Sequence, residues 1–151
     1  MKPWIPIAAL GLALSPLAML HPLRVQGRSM EPTLRNGRLC WVLRGWVAGE
    51  PRRGQVWLVE GPDGPSLKRV LALPGERLEM RDGDLLRQGA RLEEPYVERL
   101  EQGDGGPWEA GKGYLVLGDN RSVSRDSRAW GNLDGGAFRG RVLGLEETVL
   151  R

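Results

Sequence analysis

The amino-acid sequence predicts a mainly β protein: antiparallel sheets, barrel-like or sandwich-like, behind one N-terminal membrane-spanning helix. Three observations predict this. From Pro3 to Leu23 no residue carries a formal charge at neutral pH. Beyond residue 24 no apolar pattern of helical period is sustained, and Gly or Pro interrupts nearly every ten residues. The short runs between these breaks are rich in Val, Leu and Trp, as strands are. A length of 151 residues suits one domain.

The uncharged stretch spans 21 positions, about 31 Å as a helix, which matches the hydrocarbon thickness of a bilayer. We therefore expect a membrane anchor over residues 1–23 and a β-rich domain over 24–151. Pro6, Pro16 and Pro22 weaken the helix, and Lys2 before an apolar run is also the plan of a removable signal peptide. The best small-x-small site, Ala13-Leu14-Ser15, is followed by Pro16, which suits a protease poorly. A cleaved signal and a buried core helix stay open as alternatives. Arg24, Arg28, Arg35 and Arg38 after the stretch would place the domain in the cytoplasm by the positive-inside count, a count that weakens when a long domain follows.

Strands are expected at Arg38 to Leu43, Gln55 to Glu60, Ser66 to Leu73, Arg77 to Arg81, Gly113 to Gly118 and Ala137 to Leu145. Asp82-Gly83, between Leu78-Glu79-Met80-Arg81 and Asp84-Leu85-Leu86, is a hairpin turn. The stretch 92–112, polar and turn-rich up to Trp108, reads as a surface excursion. The 49 residues between Lys68 and Gly118 leave no room for a large inserted domain.

Composition excludes several chemistries. One Cys (Cys40) forbids an internal disulfide, and with one His (His21) it leaves no four-ligand Cys/His zinc site. No metal or other cofactor is expected. A His-dependent triad would have to use His21, which sits beside Pro22 at the edge of the apolar stretch. The net charge of +3 is spread among 19 acidic residues, so nothing resembles a nucleic-acid arm; a lipid surface suits this charge as well.

Three segments could carry chemistry. Ser29 lies in Gly27-Arg28-Ser29-Met30-Glu31-Pro32-Thr33-Leu34, a Gly- and Pro-bounded turn that could present a hydroxyl to a cleft. Alone it reads as a structural turn residue, and a serine nucleophile needs a base. Lys can serve when burial disfavours its charge, whereas Arg stays protonated. Arg fills 19 of 22 basic positions, so each Lys can be weighed. Lys2 precedes the apolar stretch and Lys112 sits between glycines. Lys68 alternates with Val70 and Ala72 on one face of a strand, opposite Leu67, Arg69 and Leu71; a solvated strand Lys remains the alternative. The third segment, Gly118-Asp119-Asn120-Arg121-Ser122-Val123-Ser124-Arg125-Asp126-Ser127-Arg128-Ala129-Trp130-Gly131, is dense in hydroxyls and charges and could be a polar site or a surface loop. Trp57 and Trp130 read as core residues or as lipid contacts.

Ser-Met-Glu-Pro-Thr-Leu, Lys-Arg-Val-Leu-Ala-Leu-Pro-Gly-Glu and Gly-Asp-Asn-Arg with Ser-x-Asp-Ser-Arg-x-Trp-Gly, in that order behind one apolar segment, closely resemble bacterial type I signal peptidases over residues 4–145. The resemblance implies the β fold that these peptidases share with self-cleaving repressors of the LexA type. It implies a membrane-bound serine endopeptidase that removes signal peptides from secretory preproteins after small residues, with its catalytic domain outside the cytoplasm. By the same resemblance Ser29 is the nucleophile, Lys68 the general base and Ser124 the serine that hydrogen-bonds and orients that lysine. Asp119, Asp126 and Arg128 support the site, with Arg69 a partner of Asp119. Gly27 stands where some members carry an oxyanion hydroxyl. A self-cleaving repressor lacks such an apolar start; another specialised Ser/Lys peptidase, or an inactive membrane-tethered β module, would share the fold.

Overall fold

The apolar runs between Gly and Pro turns pair as antiparallel strands. The computed structural model describes residues 17–98 and 103–145. After a 3-10 turn at Leu17–Met19 come β1 (Leu20–Arg24), β2 (Leu39–Arg44), the one-turn helix α1 (Gly45–Ala48), β3 (Val56–Gly61) and β4 (Gly64–Ala72). They are followed by β5 (Arg77–Arg81), β6 (Asp84–Arg87), β7 (Ala90–Arg91), β8 (Gly105–Glu109), β9 (Leu115–Leu117), the short helix α2 (Ser127–Trp130) and β10 (Phe138–Val142). One sheet has the order β1-β2-β10-β3-β4-β9 and the other β7-β6-β5-β8. Among the described residues the larger sheet is open, with β1 and β9 as its edges, rather than a closed barrel.

Two boundaries differ from the sequence reading. The anchor expected to reach residue 23 cannot do so as a helix, because Leu20–Arg24 pairs with β2 from Leu20↔Leu43 to Arg24↔Leu39. Pro22 would break a helix there but is tolerated in an edge strand, where a missing N–H disturbs no ladder. Residues 1–16 lie outside the described residues, and no described helix is long and apolar enough to cross a membrane. The second correction concerns 92–112. Gly105–Glu109 is a strand paired with β5, and Leu92, Tyr96 and Ala110 are buried. Its Gly and Pro read as loop, but β8 is an edge strand and Trp108 packs against the core that these residues share.

The small sheet is inserted between β4 and β9 and shares a core with them: Leu78 and Leu85 pack with Leu71, Ala72, Leu115 and Leu117. It is therefore a layer of the same domain rather than a separate one. Its Asp82-Gly83 turn has positive φ at both residues (50° and 86°), the conformation a tight hairpin requires. The other side of the large sheet buries Trp57, Val59, Val70, Val116 and Phe138; Trp57 and Phe138 meet edge to face at 5.6 Å.

β4 runs between β3 and β9, so both of its edges are paired, and core packs on both of its faces, so every residue from Leu67 to Ala72 is buried. A bulge after Val70 breaks the expected alternation and sends Ala72 into the same core as Leu71. Lys68 and Arg69 thus sit side by side in the middle of the molecule, 2% exposed each, on opposite faces.

Candidate active site

Ser29 lies on the turn that leads from β1 toward β2. Val25 N–H donates to Arg38 O and Gly37 N–H to Val25 O, both at 2.8 Å, closing the base of the loop. Met30 and Leu34 are buried at its centre, and Leu34 N–H donates to Met30 O at 2.9 Å. Apolar anchoring on either side leaves half-buried Ser29 at the rim. Gly27 has φ of +85°, a conformation that favours glycine. Its N–H donates to Asn36 Oδ1 at 3.0 Å and so is already engaged.

The third segment closes on this turn. Asn120 N–H donates to Ser29 O at 2.9 Å. A Cβ on Gly118 would lie 2.5 Å from Ser29 O and 2.3 Å from Ser124 Oγ, so only glycine permits the approach. Gly118 N–H donates to Asp126 Oδ2 at 3.0 Å, and its carbonyl accepts from Arg121 Nε at 3.0 Å. Asp126 also caps α2, accepting from Arg128 N–H at 3.2 Å. Motifs one and three therefore meet at Gly118.

Motif two joins them through charge. Arg69 holds Asp119 with two parallel bonds, Nε to Oδ1 at 2.8 Å and Nη2 to Oδ2 at 2.6 Å, and donates from Nη1 to Gly54 O at 2.7 Å. Its guanidinium stacks 4.0 Å from the Tyr96 ring centroid. Thr33 Oγ1 donates to Asp119 Oδ2 at 2.5 Å, tying the Ser29 turn to the same carboxylate. On the opposite face, Lys68 Nζ lies 5.8 Å from the centroid of the Trp130 ring. Burial depresses its pKa below the ordinary lysine value; Asp126 and Asp119 oppose that shift, whereas Arg128 adds to it.

The cations around the site, buried Lys68, Arg69 and Arg121 and half-buried Arg128, divide into two kinds. Arg69 faces Asp119, Arg121 faces Glu94 and Arg128 faces Asp126, each within ion-pair distance. Among the described residues Lys68 makes no hydrogen bond and has no carboxylate of its own. With Lys68 neutral, the three arginines balance the three carboxylates.

The structure places Ser29, Ser124, Asp119, Asp126, Arg128 and Arg69 around Gly118, and Lys68 within the field of Asp126, Arg128 and Asp119, with two differences. No hydrogen bond joins Ser29 to Lys68. The hydrogen bond implied from Ser124 to Lys68 is not formed; Ser124 Oγ is buried without a partner. Sequence reasoning missed Thr33, Glu94, Tyr96 and Arg121. Thr33 and Arg121 lie in the motifs but carried no assigned role. Glu94 and Tyr96 lay in the supposed excursion, and only the need of a buried Arg121 for a counter-charge could have pointed to Glu94. His21 pairs with Val42 in β1 and takes no part in these contacts. No described group of His, Cys, Asp and Glu is arranged to hold a metal ion. Polar clefts flank the Gly118–Ser124 loop, one of about 360 Å³ lined by Arg28, Glu31 and Asn120, the other of about 420 Å³ lined by Ser124, Arg128 and Trp108.

Comparisons with known proteins bear on the family. Residues 1–144 match the model of the family described as signal peptidase, peptidase S26. A signal peptidase I of Bacillus licheniformis is 36% identical over 159 aligned positions, covering 95% of this chain and 83% of the relative. Signal peptidase IB of Staphylococcus aureus is 33% identical, covering 82% of this chain and 76% of the relative. A crystal structure of a signal peptidase I from Enterococcus faecalis V583 superposes with a TM-score of 0.51 at 28% identity, covering 62% of this chain and 97% of that one.

Proposed function

Since the chain belongs to the S26 family of signal peptidases, serine endopeptidases that remove signal peptides from preproteins, we propose that Ser29 is its nucleophile and Lys68 its general base. Ser29 Oγ attacks the scissile carbonyl of the preprotein while neutral Lys68 takes the hydroxyl proton. Lys68 returns that proton to the leaving amine, and the mature chain departs with a new N-terminus. Water then attacks the acyl-enzyme ester, losing a proton to Lys68; Lys68 passes that proton to the departing Ser29 Oγ, which releases the signal peptide with a new C-terminal carboxylate and restores Ser29 and neutral Lys68. The Ser29 N–H is the oxyanion donor we assign, since Gly27 offers no side chain and its N–H is bound to Asn36.

The observation that carries this reading is the unpaired Lys68 among three paired arginines. A lysine kept for a salt bridge would have a carboxylate; a lysine kept to accept a proton is better without one. Asp119, Asp126, Arg128 and Arg69 support the pocket, and Ser124 offers its free hydroxyl to the lysine during turnover.

Membrane attachment is part of the reading. The anchor lies ahead of β1, with the catalytic domain on the extracytoplasmic side of the plasma membrane. Leu39, Trp41 and Trp46, 56%, 52% and 73% exposed on β2 and α1, support contact with lipid next to that anchor. Purified protein in detergent is expected to cut a secretory preprotein once, after a small residue. Ser29→Ala and Lys68→Ala should each lose the cut, and wild-type turnover in either would refute the assignment.

A further inference from the structure

The proposed base has a cover that comes from two distant parts of the chain. The β3–β4 hairpin turns through Gly61-Pro62-Asp63-Gly64, seven residues before Lys68 at Gly61. Trp130 closes the third motif at the end of α2. The two meet over Lys68. Trp130 Nε1–H donates to Asp63 Oδ2 at 2.9 Å, and Arg125 Nε lies 3.3 Å from that oxygen, so the indole is held from its outer edge. Gly61 makes room for the ring: a Cβ there would come within 2.9 Å of Cζ3 and 3.0 Å of Cη2. The ring then lies with its centroid 5.8 Å from Lys68 Nζ.

We propose that Trp130, latched by Asp63 and seated on Gly61, is a positioning residue that keeps water off the Lys68 amine and so keeps the base neutral at working pH. This rests on the assignment of Lys68 as base. Two opposing effects must be compared. An aromatic face attracts an ammonium, which favours the charged form, but 5.8 Å is close to the roughly 6 Å limit of that attraction. Loss of hydration disfavours the charged form and is the larger effect on a buried lysine. The charged groups facing Lys68 from the packed elements are Asp119, Asp126 and Arg128 of the third motif; β3 presents uncharged Trp57 across the ladder, and Arg69 points to the other face. None of these changes when the indole is removed. Opening the cover therefore hydrates the ammonium and moves the titration upward.

The test is the pH dependence of kcat/KM for preprotein cleavage by the full chain in detergent, which reports the free enzyme's essential base. Wild type is compared with Trp130→Ala, Trp130→Phe and Gly61→Ala. In Trp130→Ala the rising limb should move to higher pH by about one unit. Trp130→Phe should restore most of the displacement, because it keeps the cover without the latch. Gly61→Ala should give a smaller upward displacement by lifting the ring, and it decides the matter if Trp130→Ala fails to fold. An unmoved or downward limb, or equal displacement in Ala and Phe, overturns the proposal even if rates fall. A wild-type limb already near the free lysine value of about 10.4 would instead refute the base assignment itself.

Discussion

Lys68 and Arg69 are neighbours on one strand, equally buried, and their surroundings are opposite. Arg69 meets a carboxylate with two bonds, a carbonyl with a third and an aromatic face besides. Lys68 lies across the ladder from Trp57 and under the ring of Trp130. The difference follows from the alternation of a strand covered on both sides, which sends adjacent side chains into separate layers. One layer is built to retain a charge and hold three segments together. The other is built to make a charge unfavourable. A site that needs a neutral amine gains from an adjacent cation that is fully paired, because Asp119 is then committed elsewhere.

Substitutions can separate these two roles. Lys68→Met should lower preprotein cleavage on the order of a thousandfold or more, since general-base transfer alone contributes about 10²–10⁴. Its melting temperature should not fall, because the change removes a buried group that had no partner. Lys68→Arg should be equally inactive, as a guanidinium does not give up its proton. Gly118→Ala forces Ser29 and Ser124 apart and should cost about a hundredfold in turnover, the penalty of misplacing a reacting group by an ångström.

Arg69→Met should behave in the reverse sense to Lys68→Met. It leaves Asp119 buried without its counter-ion, at a cost of about 3–5 kcal/mol in stability by denaturant titration. The double variant Arg69→Met with Asp119→Leu should recover part of that loss. Thr33→Val removes a second bond to the same carboxylate and should cost about 1.5–3 kcal/mol.

The smallest effect concerns stability against pH. Because the folded-state pKa of Lys68 is depressed, the unfolded chain holds that proton more tightly. Stability due to this group is complete above about 10.4, the unfolded value, and is lost as pH falls toward the folded value. The gap between Lys68→Met and wild type should widen over that interval in favour of the variant. A constant gap would mean that Lys68 is not held neutral.

Much of this was legible in the sequence. Lys68 stood out because a chain that otherwise uses Arg places a Lys in an apolar strand, and Gly and Pro marked where most strands end. The first motif was readable as a turn from Gly27 and Pro32. What periodicity could not show was pairing over distance. Arg69 meets Asp119 across 50 positions, and Arg121 meets Glu94 across 27, and each partner lies in a polar stretch with no local pattern to bury it. β1 was hidden because its first four residues, Leu20 to Leu23, end an uncharged run whose length suits a spanning helix. β8 was hidden because an edge strand tolerates the Gly and Pro that elsewhere signal a loop.

The central claim is that Lys68, buried without a partner among the described residues, is neutral when it works. The chain contains three lysines, Lys2, Lys68 and Lys112, so ε-carbon labelling of lysine gives three signals, and Lys68→Met identifies one by its loss. Titration of that signal in the full chain with Ser29→Ala should show a midpoint well below 10.4, the free lysine value of about that size. A midpoint at or above that value would contradict the account.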